Sequence, residues 1–303
     1  MSTRALGHPE LRVQHHRWGA RRIAGSTIVT ALLIAMAAYF LFPIVWLLVS
    51  TTKDQQQLLN LGILQVGQPA HLFQNIAQLS TFRGDQYWRW YLNTFIYASS
   101  IGVFATLFCA MAGFALVKYR FKGQSVVYWM VLASLMIPGA VTVIPLFILE
   151  RAMGIMDTYW AVILPQLVNP FGAFFMTVYI AEVFPDELLE AARVDGASHF
   201  RTFFRIVVPV IMPGIVTLLL IVFIGAWNNF FLPFLVLNQP HLYPITVGLS
   251  SWLSEISQNG QAGISWYSLI TTGATLSVLP MLVLFPFLSR YIVAGLSQGS
   301  AKL

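Results

Sequence analysis

Six long apolar stretches of this chain contain no lysine, arginine, aspartate or glutamate: residues 23–52, 90–117, 123–149, 158–181, 206–254 and 256–289. Each is longer than the roughly 20 residues that an α-helix needs to cross the hydrocarbon core of a bilayer. Uncharged helices of that length leave few folds open, because inside a membrane only helices and closed barrels satisfy their own backbone hydrogen bonds. The composition agrees: 57% of the residues are hydrophobic and 9% are charged, against roughly 25% charged in an ordinary soluble domain. An all-α membrane protein follows.

Spans are expected near 27–49, 93–117, 125–148, 158–181, 207–231 and 269–289. The fifth uncharged window is long enough for two crossings. Its second half, WNNFFLPFLVLNQPHLYPITVGL, holds Asn228, Asn229, Asn238, His241 and three prolines, polar and backbone groups that lipid cannot satisfy. It is expected to be broken or re-entrant at the outer surface, which leaves six spans. Domain boundaries follow: a tail over 1–26, a six-helix domain over 27–294 containing a connecting loop over 183–206, and a second tail over 295–303.

Charge gives the orientation. With the N-terminus inside, the inner segments hold Arg4, Arg12, Arg17, Arg21, Arg22, Lys118, Arg120, Lys122, Arg193, Arg201, Arg205, Arg290 and Lys302. The outer segments hold Lys53, Arg83, Arg89 and Arg151. An excess of 13 basic residues over 4 places both termini and residues 183–206 in the cytoplasm. The first apolar run is too long for the h-region of a cleaved signal peptide, so it is expected to remain as a helix. The basic tail RVQHHRWGARR suits contact with anionic headgroups, and His15 and His16 have no further ligand at a metal-binding spacing. Tyr87, Trp88, Trp90 and Tyr91 are expected to anchor a helix at the interface.

No nucleotide-binding GxxxxGK[ST], nucleophile elbow, HExxH or CxxC pattern occurs in the sequence, although these are the patterns by which such chemistry is recognised. The net charge of +6 is dispersed and forms no nucleic-acid stripe. Cys109 lies alone in an apolar run, where it reads as a small packed side chain. No ionisable residue falls near the centre of an expected span, where ion-coupled carriers place carboxylates or histidines. The expectation is a non-catalytic transport subunit without metal or cofactor, any energy coming from a partner.

The densest charge in the second half of the chain is DELLEAARVDGASHFRTFFRIVVPVIMPG, residues 186–214. Pro185 followed by Asp186 and Glu187 opens a helix whose positive end favours carboxylates. Asp195-Gly196 breaks it, since glycine accepts the positive φ of a sharp turn. Ser198 can cap a second helix with Phe200, Phe203, Phe204 and Val207 on one face. Two short helices joined by a glycine turn make a rigid knob. The plain alternative is an amphipathic connector lying on the membrane.

Glu190-Ala191-Ala192, Asp195-Gly196-Ala197, Ile206 and Pro209 resemble, residue for residue, the EAA loop of permease subunits in bacterial binding-protein-dependent ABC importers. The stretches at 93–123, 232–237, 243–252 and 279–302 resemble the carbohydrate-uptake branch that includes the maltose-type second permease. The resemblance covers most of the chain from residue 93 onward, and Asn228-Asn229-Phe230 departs from it where relatives often carry an acidic residue. It implies that residues 183–206 form a coupling helix pair seated in a cleft of an ATP-binding subunit. Glu190 would pair with a basic group there, Ala191 and Ala192 would permit tight packing, and Gly196 would set the turn, with Asp195, Ala197, Phe200, Ile206 and Pro209 completing the motif. The implied partners are a second homologous permease subunit, two cytosolic ATP-binding subunits that bind ATP and magnesium, an extracellular or periplasmic solute-binding protein, and the bilayer of the bacterial inner membrane.

The implied solute is a sugar or related polyhydroxylated compound such as a glycerol phosphate. The polar positions Ser134, Gln166, Asn169 and Thr217 are placed to face a hydrophilic path or to bond between helices; none is assigned to the solute. The loop over 254–268, rich in Ser, Gly, Gln and Asn, is suited either to reaching a binding protein or to plain flexibility. The rival expectation is an ATPase-independent carrier, for instance of the phosphotransferase type, which would need a phosphorylatable cysteine or histidine in a suitable setting.

Overall fold

The structure is a computed structural model that describes residues 19–259 and 266–300. The expectations for His15 and His16 and for the middle of the 254–268 loop lie outside these residues. Among the described residues the chain is helical, with α1 over Gly19–Ser50, α2 over Gln55–Asn60, α3 over Pro69–Thr81 and α4 over Gln86–Lys118. Then come α5 (Gln124–Leu135), α6 (Gly139–Met153), α7 (Tyr159–Leu167), α8 (Pro170–Val183), α9 (Asp186–Val194) and α10 (His199–Thr202). A π-helical turn over Phe203–Val207 leads into α11 (Val208–Val210), followed by α12 (Met212–Trp227), α13 (Phe231–Val236), α14 (Ile245–Asn259) and α15 (Trp266–Ser300).

Local chemistry sets many of these boundaries. Asp54 and Gln57 close α2 with a reciprocal capping box, in which each side chain satisfies a backbone N–H that the first helical turn leaves free. The Asn169 side chain accepts from the Gly172 N–H at 2.8 Å, and Pro170 at the first helical position loses no hydrogen bond there. Thr158 caps α7 in the same way.

Among the described residues, four apolar helical stretches are long enough to cross a membrane: Thr27–Ser50, Gln86–Lys118, Tyr159–Val183 and Trp266–Leu284. The other two expected spans are not straight helices. The third is divided into α5 and α6, bent by 109°. Pro138 lies at the break, and a proline disfavours helical geometry in the residue before it. The fifth is bent by 84° between His199–Val210 and Met212–Trp227. Pro213 supplies no N–H there, and its ring crowds the carbonyl four residues back. Counting each bent pair as one span gives six by length and composition among the described residues. After the fifth the chain is broken, as its asparagines and prolines suggest: α13, a 3₁₀ turn over Pro240–Leu242, then α14.

α4 is the axis of the bundle. Its Tyr97, Ile101, Ala105, Cys109 and Phe114 are buried with Met176 and Ile180 of α8 and Leu218 and Val222 of α12. Large apolar side chains elsewhere face outward, among them Ile34, Trp129, Met136 and Ile144, as lipid-facing or partner-facing surfaces require.

A second cluster surrounds the other end of α4, where Leu79, Tyr87, Trp90, Trp252, Trp266 and Leu269 are buried. The rings of Trp90 and Trp252 are 4.7 Å apart, and Phe82 meets Trp252 and Trp266 edge-on at 5.2 and 5.4 Å. Tyr87 and Trp90 therefore do not anchor an interface as expected. They form the core of this second cluster, and of the neighbouring pair Tyr87-Trp88 only Trp88 is exposed. Lys53 is also buried, and its ammonium donates to the carbonyls of Gly62 at 2.9 Å and Ile63 at 3.4 Å. Those bonds replace the water that burial removes from the charge.

Candidate functional site

Two features stand out against this bundle: a helix pair projecting from one end of α4, and a cavity at the helix breaks. The pair consists of α9 and of α10 with its continuation. Asp186 and Glu187 occupy the first turn of α9, where the free N–H groups favour negative charge. Leu189 and Ala192 turn inward and are buried. Glu190, Ala191, Arg193 and Asp195 are exposed on the other faces. The two alanines are thus divided, Ala191 facing out and Ala192 closing the knob onto its base.

Gly196 adopts φ +68°. Its N–H donates to the Arg193 carbonyl at 3.1 Å, and the Ala197 N–H donates to the Ala192 carbonyl at 3.0 Å. That pattern is a Schellman ending, which turns the chain sharply and satisfies carbonyls left over by the last turn. Ser198 then accepts from the Arg201 N–H at 3.4 Å and starts α10.

The aromatic stripe does not lie on one face as its spacing predicts. Phe203 and Val207 are buried, while Phe200 and Phe204 are exposed. The π-helical turn over Phe203–Val207 adds a residue to the hydrogen-bonded loop and shifts the register of side chains relative to an α-helix. Ile206 is half-buried and Pro209 exposed, so the motif residues present an outward rim formed by Glu190, Ala191, Asp195, Gly196 and Phe200.

The knob is fastened to α4 by residues that sequence reading did not single out. The Lys118 ammonium donates to the Phe184 carbonyl at 2.7 Å and to the Asp186 carboxylate at 2.6 Å. The Tyr119 hydroxyl and the His199 ring nitrogen Nδ1 are 2.8 Å apart. In the sequence Lys118 is only one of the charges flanking a span.

The cavity has a volume of about 640 Å³, within the range of small-molecule sites. Its polar lining comes from Ser134, Thr142, Gln166, Asn169 and Asn229. Three of the four polar positions noted in the sequence therefore meet at one cavity. Thr217 is not among them; its hydroxyl donates to the Pro213 carbonyl at 2.8 Å. Thr142 and Asn229 join the cavity because the breaks at Pro138 and after Trp227 turn them toward it, which apolar periodicity does not reveal. Glu150 is buried near the C-terminal end of α6, just beyond the expected end of the third span and away from this lining.

Comparison with known proteins places the chain in a family. Residues 102–298 match the model for the binding-protein-dependent transport system inner membrane component. The arabinooligosaccharides transport system permease protein AraQ of Bacillus subtilis is 32% identical over 275 residues, covering 90% of this chain and 95% of that one. The lactose transport system permease protein LacG of Rhizobium radiobacter is 32% identical over 277 residues, covering 91% and 96%. The crystal structure of a bacterial ABC transporter involved in the import of the acidic polysaccharide alginate contains a chain with the same fold, at a TM-score of 0.77 and 21% identity, covering 90% of this chain and 98% of that one. A family defined by dependence on binding proteins leaves the phosphotransferase-type carrier without support. The chain belongs to the inner-membrane permease components of binding-protein-dependent transport systems.

Proposed function

We propose that the chain forms half of the translocation pathway for a sugar or related polyhydroxylated solute, and that the α9–α10 knob couples it to a cytosolic ATPase. The observation that carries the coupling reading is the exposed rim of Glu190, Ala191, Asp195 and Gly196 on a turn fixed by two backbone hydrogen bonds. A lever must be rigid because ATP chemistry and solute path lie far apart, and small residues at the rim let a partner approach closely. Glu190 supplies a carboxylate for a basic group of the ATPase. The basic-residue count supports a cytoplasmic knob and cytoplasmic termini.

The complete importer in this reading has a second, homologous permease, two ATP-binding subunits and an external solute-binding protein. ATP and magnesium belong to the ATP-binding subunits, and this chain holds no cofactor of its own. Closure of the ATPase pair moves the knob, and the cavity between the broken helices changes the side to which it opens. Relatives named for arabinooligosaccharide and lactose transport support a sugar, as do the hydroxyl and amide groups that line the cavity.

Isolation of the tagged chain from its own membranes in mild detergent tests the coupling reading. An ATPase and a second permease are expected to accompany it, and Glu190→Lys is expected to reduce the ATPase recovered. Recovery of the chain with neither partner would sink the reading. Binding of candidate sugars to the companion binding protein tests the solute class.

A further inference from the structure

Among the candidate spans in the described residues, α4 alone has neither a proline nor a break. Pro43 lies inside α1, and Pro280 and Pro286 inside α15. Pro165 and Pro170 interrupt Tyr159–Val183, and both bent pairs carry prolines. The 33 residues of α4 form a continuous rod of roughly 50 Å at the α-helical rise.

Both ends of this rod grip other segments. At one end Lys118 holds the Phe184 carbonyl and the Asp186 carboxylate, and its ammonium lies 5.3 Å from the centre of the Phe184 ring. The Lys118 side chain is 6% exposed and that of Asp186 76%. The clamp is therefore a sheltered cation with one fixed carbonyl partner and one solvent-facing carboxylate. Tyr119 holds His199 of the second knob helix, and Phe114 packs against Tyr119, Phe184 and Phe203. Both arms of the knob thus converge on the last two turns of α4 and the residue after it.

At the other end Trp90 donates to the Pro240 carbonyl at 2.7 Å, Asn93 donates to the carbonyls of His241 and Tyr243 at 2.9 and 3.0 Å, and Tyr97 donates to the Leu242 carbonyl at 3.0 Å. The broken segment that follows the fifth span is therefore bonded directly to the same rod as the knob. Between the two grips, Ile101 of α4 lines the cavity.

We infer that α4 is the rod that carries knob movement to the cavity and to the 237–245 segment, and that Lys118 is the positioning residue that locks the knob onto it. This rests on the reading that the knob docks on an ATPase. Rigid secondary elements and hydrogen-bond networks can carry coupling between distant sites, and α4 is bonded to both the knob and the broken segment. Lys118 acts through Asp186 and the Phe184 carbonyl; it touches neither solute nor nucleotide.

The test uses the importer isolated whole from its own membranes and placed in lipid nanodiscs, with Ala140→Cys on the cavity wall as reporter. Cys109 is buried and contributes little background. The rate of modification of residue 140 by a membrane-impermeant thiol reagent is measured with and without ATP and vanadate. In the parent, nucleotide is expected to change this rate. In Lys118→Met the nucleotide effect is expected to be lost while the ATPase still co-purifies and hydrolyses ATP, and Lys118→Arg is expected to keep it. Asp186→Asn removes only the negative charge from the exposed arm of the clamp, so it is expected to fold even where the methionine variant does not, and its nucleotide effect is expected to be reduced.

An unchanged nucleotide effect in Lys118→Met or Asp186→Asn would overturn the inference. So would loss of the ATPase from Lys118→Met, because the lysine would then shape the docking surface rather than transmit its movement. Absence of an ATPase from the parent complex is a separate result that removes the docking reading and this inference with it.

Discussion

Gly248 of α14 lies against the face of the Trp90 indole so closely that a Cβ built on the glycine would sit 2.1 Å from Cε3 and 2.2 Å from Cδ2 of the ring. Trp90 is fully buried and tied at its other edge to the Pro240 carbonyl, so the ring cannot retreat. Gly248→Ala must displace either α14 or the ring, and overpacking of this kind costs about 1–3 kcal/mol. The expected outcome is a lower unfolding temperature in detergent. Trp90→Phe, which keeps a flat ring but removes the N–H donor, is expected to relieve part of the defect when combined with Gly248→Ala. Additive losses in the double variant would show that the two residues do not press on one another.

Gly196 poses a different constraint, because a Cβ there meets no atom within 4 Å. Only its φ of +68° opposes a side chain. A β-branched residue in that region costs about 2 kcal/mol, whereas asparagine tolerates it. Gly196→Val is expected to loosen the turn and reduce recovery of the ATPase in a pull-down, and Gly196→Asn is expected to retain most of it. Equal recovery in both variants would separate docking from turn geometry.

Sequence made the six apolar segments and this turn legible for related reasons. Uncharged length reports on lipid, and Asp195-Gly196 between two capped helices reports on a local backbone conformation that few residues can adopt. Other features depend on contacts distant in sequence and have no local signature. Trp90 reads as an interfacial aromatic until Trp252 and Gly248, more than 150 positions away, are seen to enclose it. Lys118 reads as one more positive charge until Phe184 and Asp186 arrive beneath it. The bends fall at Pro138 and Pro213, which the apolar windows gave no reason to single out, and such a window does not say whether a proline will be accommodated as a gentle kink or a turn of 109° or 84°.

Asp157 makes a pH-dependent prediction, since it lies between helices in the turn after α6. Burial alone raises its carboxyl, but hydrogen bonds from the Asn238 backbone and side chain and from the Gln239 N–H, with His241 nearby, hold it below the ordinary aspartate range. A group whose folded pKa is lowered contributes stability that is present above its unfolded pKa and lost as pH falls through the folded value. The stabilising contribution from Asp157 is therefore expected to be complete at neutral pH and to fade only below about pH 4, near the ordinary aspartate value. Subtracting the unfolding temperatures of Asp157→Asn from those of the parent across pH 3–7 isolates this term. A difference that grows as the pH is lowered would contradict it.

Asn93 ties three separate pieces of chain together from a position that is 1% exposed. Its amide nitrogen donates to the His241 and Tyr243 carbonyls at 2.9 and 3.0 Å, and its amide oxygen accepts from the Tyr159 hydroxyl at 2.6 Å. Asn93→Ala removes all three bonds and leaves two part-buried carbonyls unpaired, a loss of roughly 3 kcal/mol if each bond contributes at the usual scale. Asn93→Asp keeps the acceptor for Tyr159 but turns a carboxylate oxygen toward two carbonyls, so it is expected to lower the unfolding temperature further than alanine despite its closer shape. Tyr159→Phe breaks only one of the bonds and is expected to cost about 1 kcal/mol. Thermal unfolding of the three variants in one detergent orders them directly. An aspartate variant as stable as the parent would mean that the 241–243 carbonyls find other donors, and that α4 does not hold the broken segment through this amide.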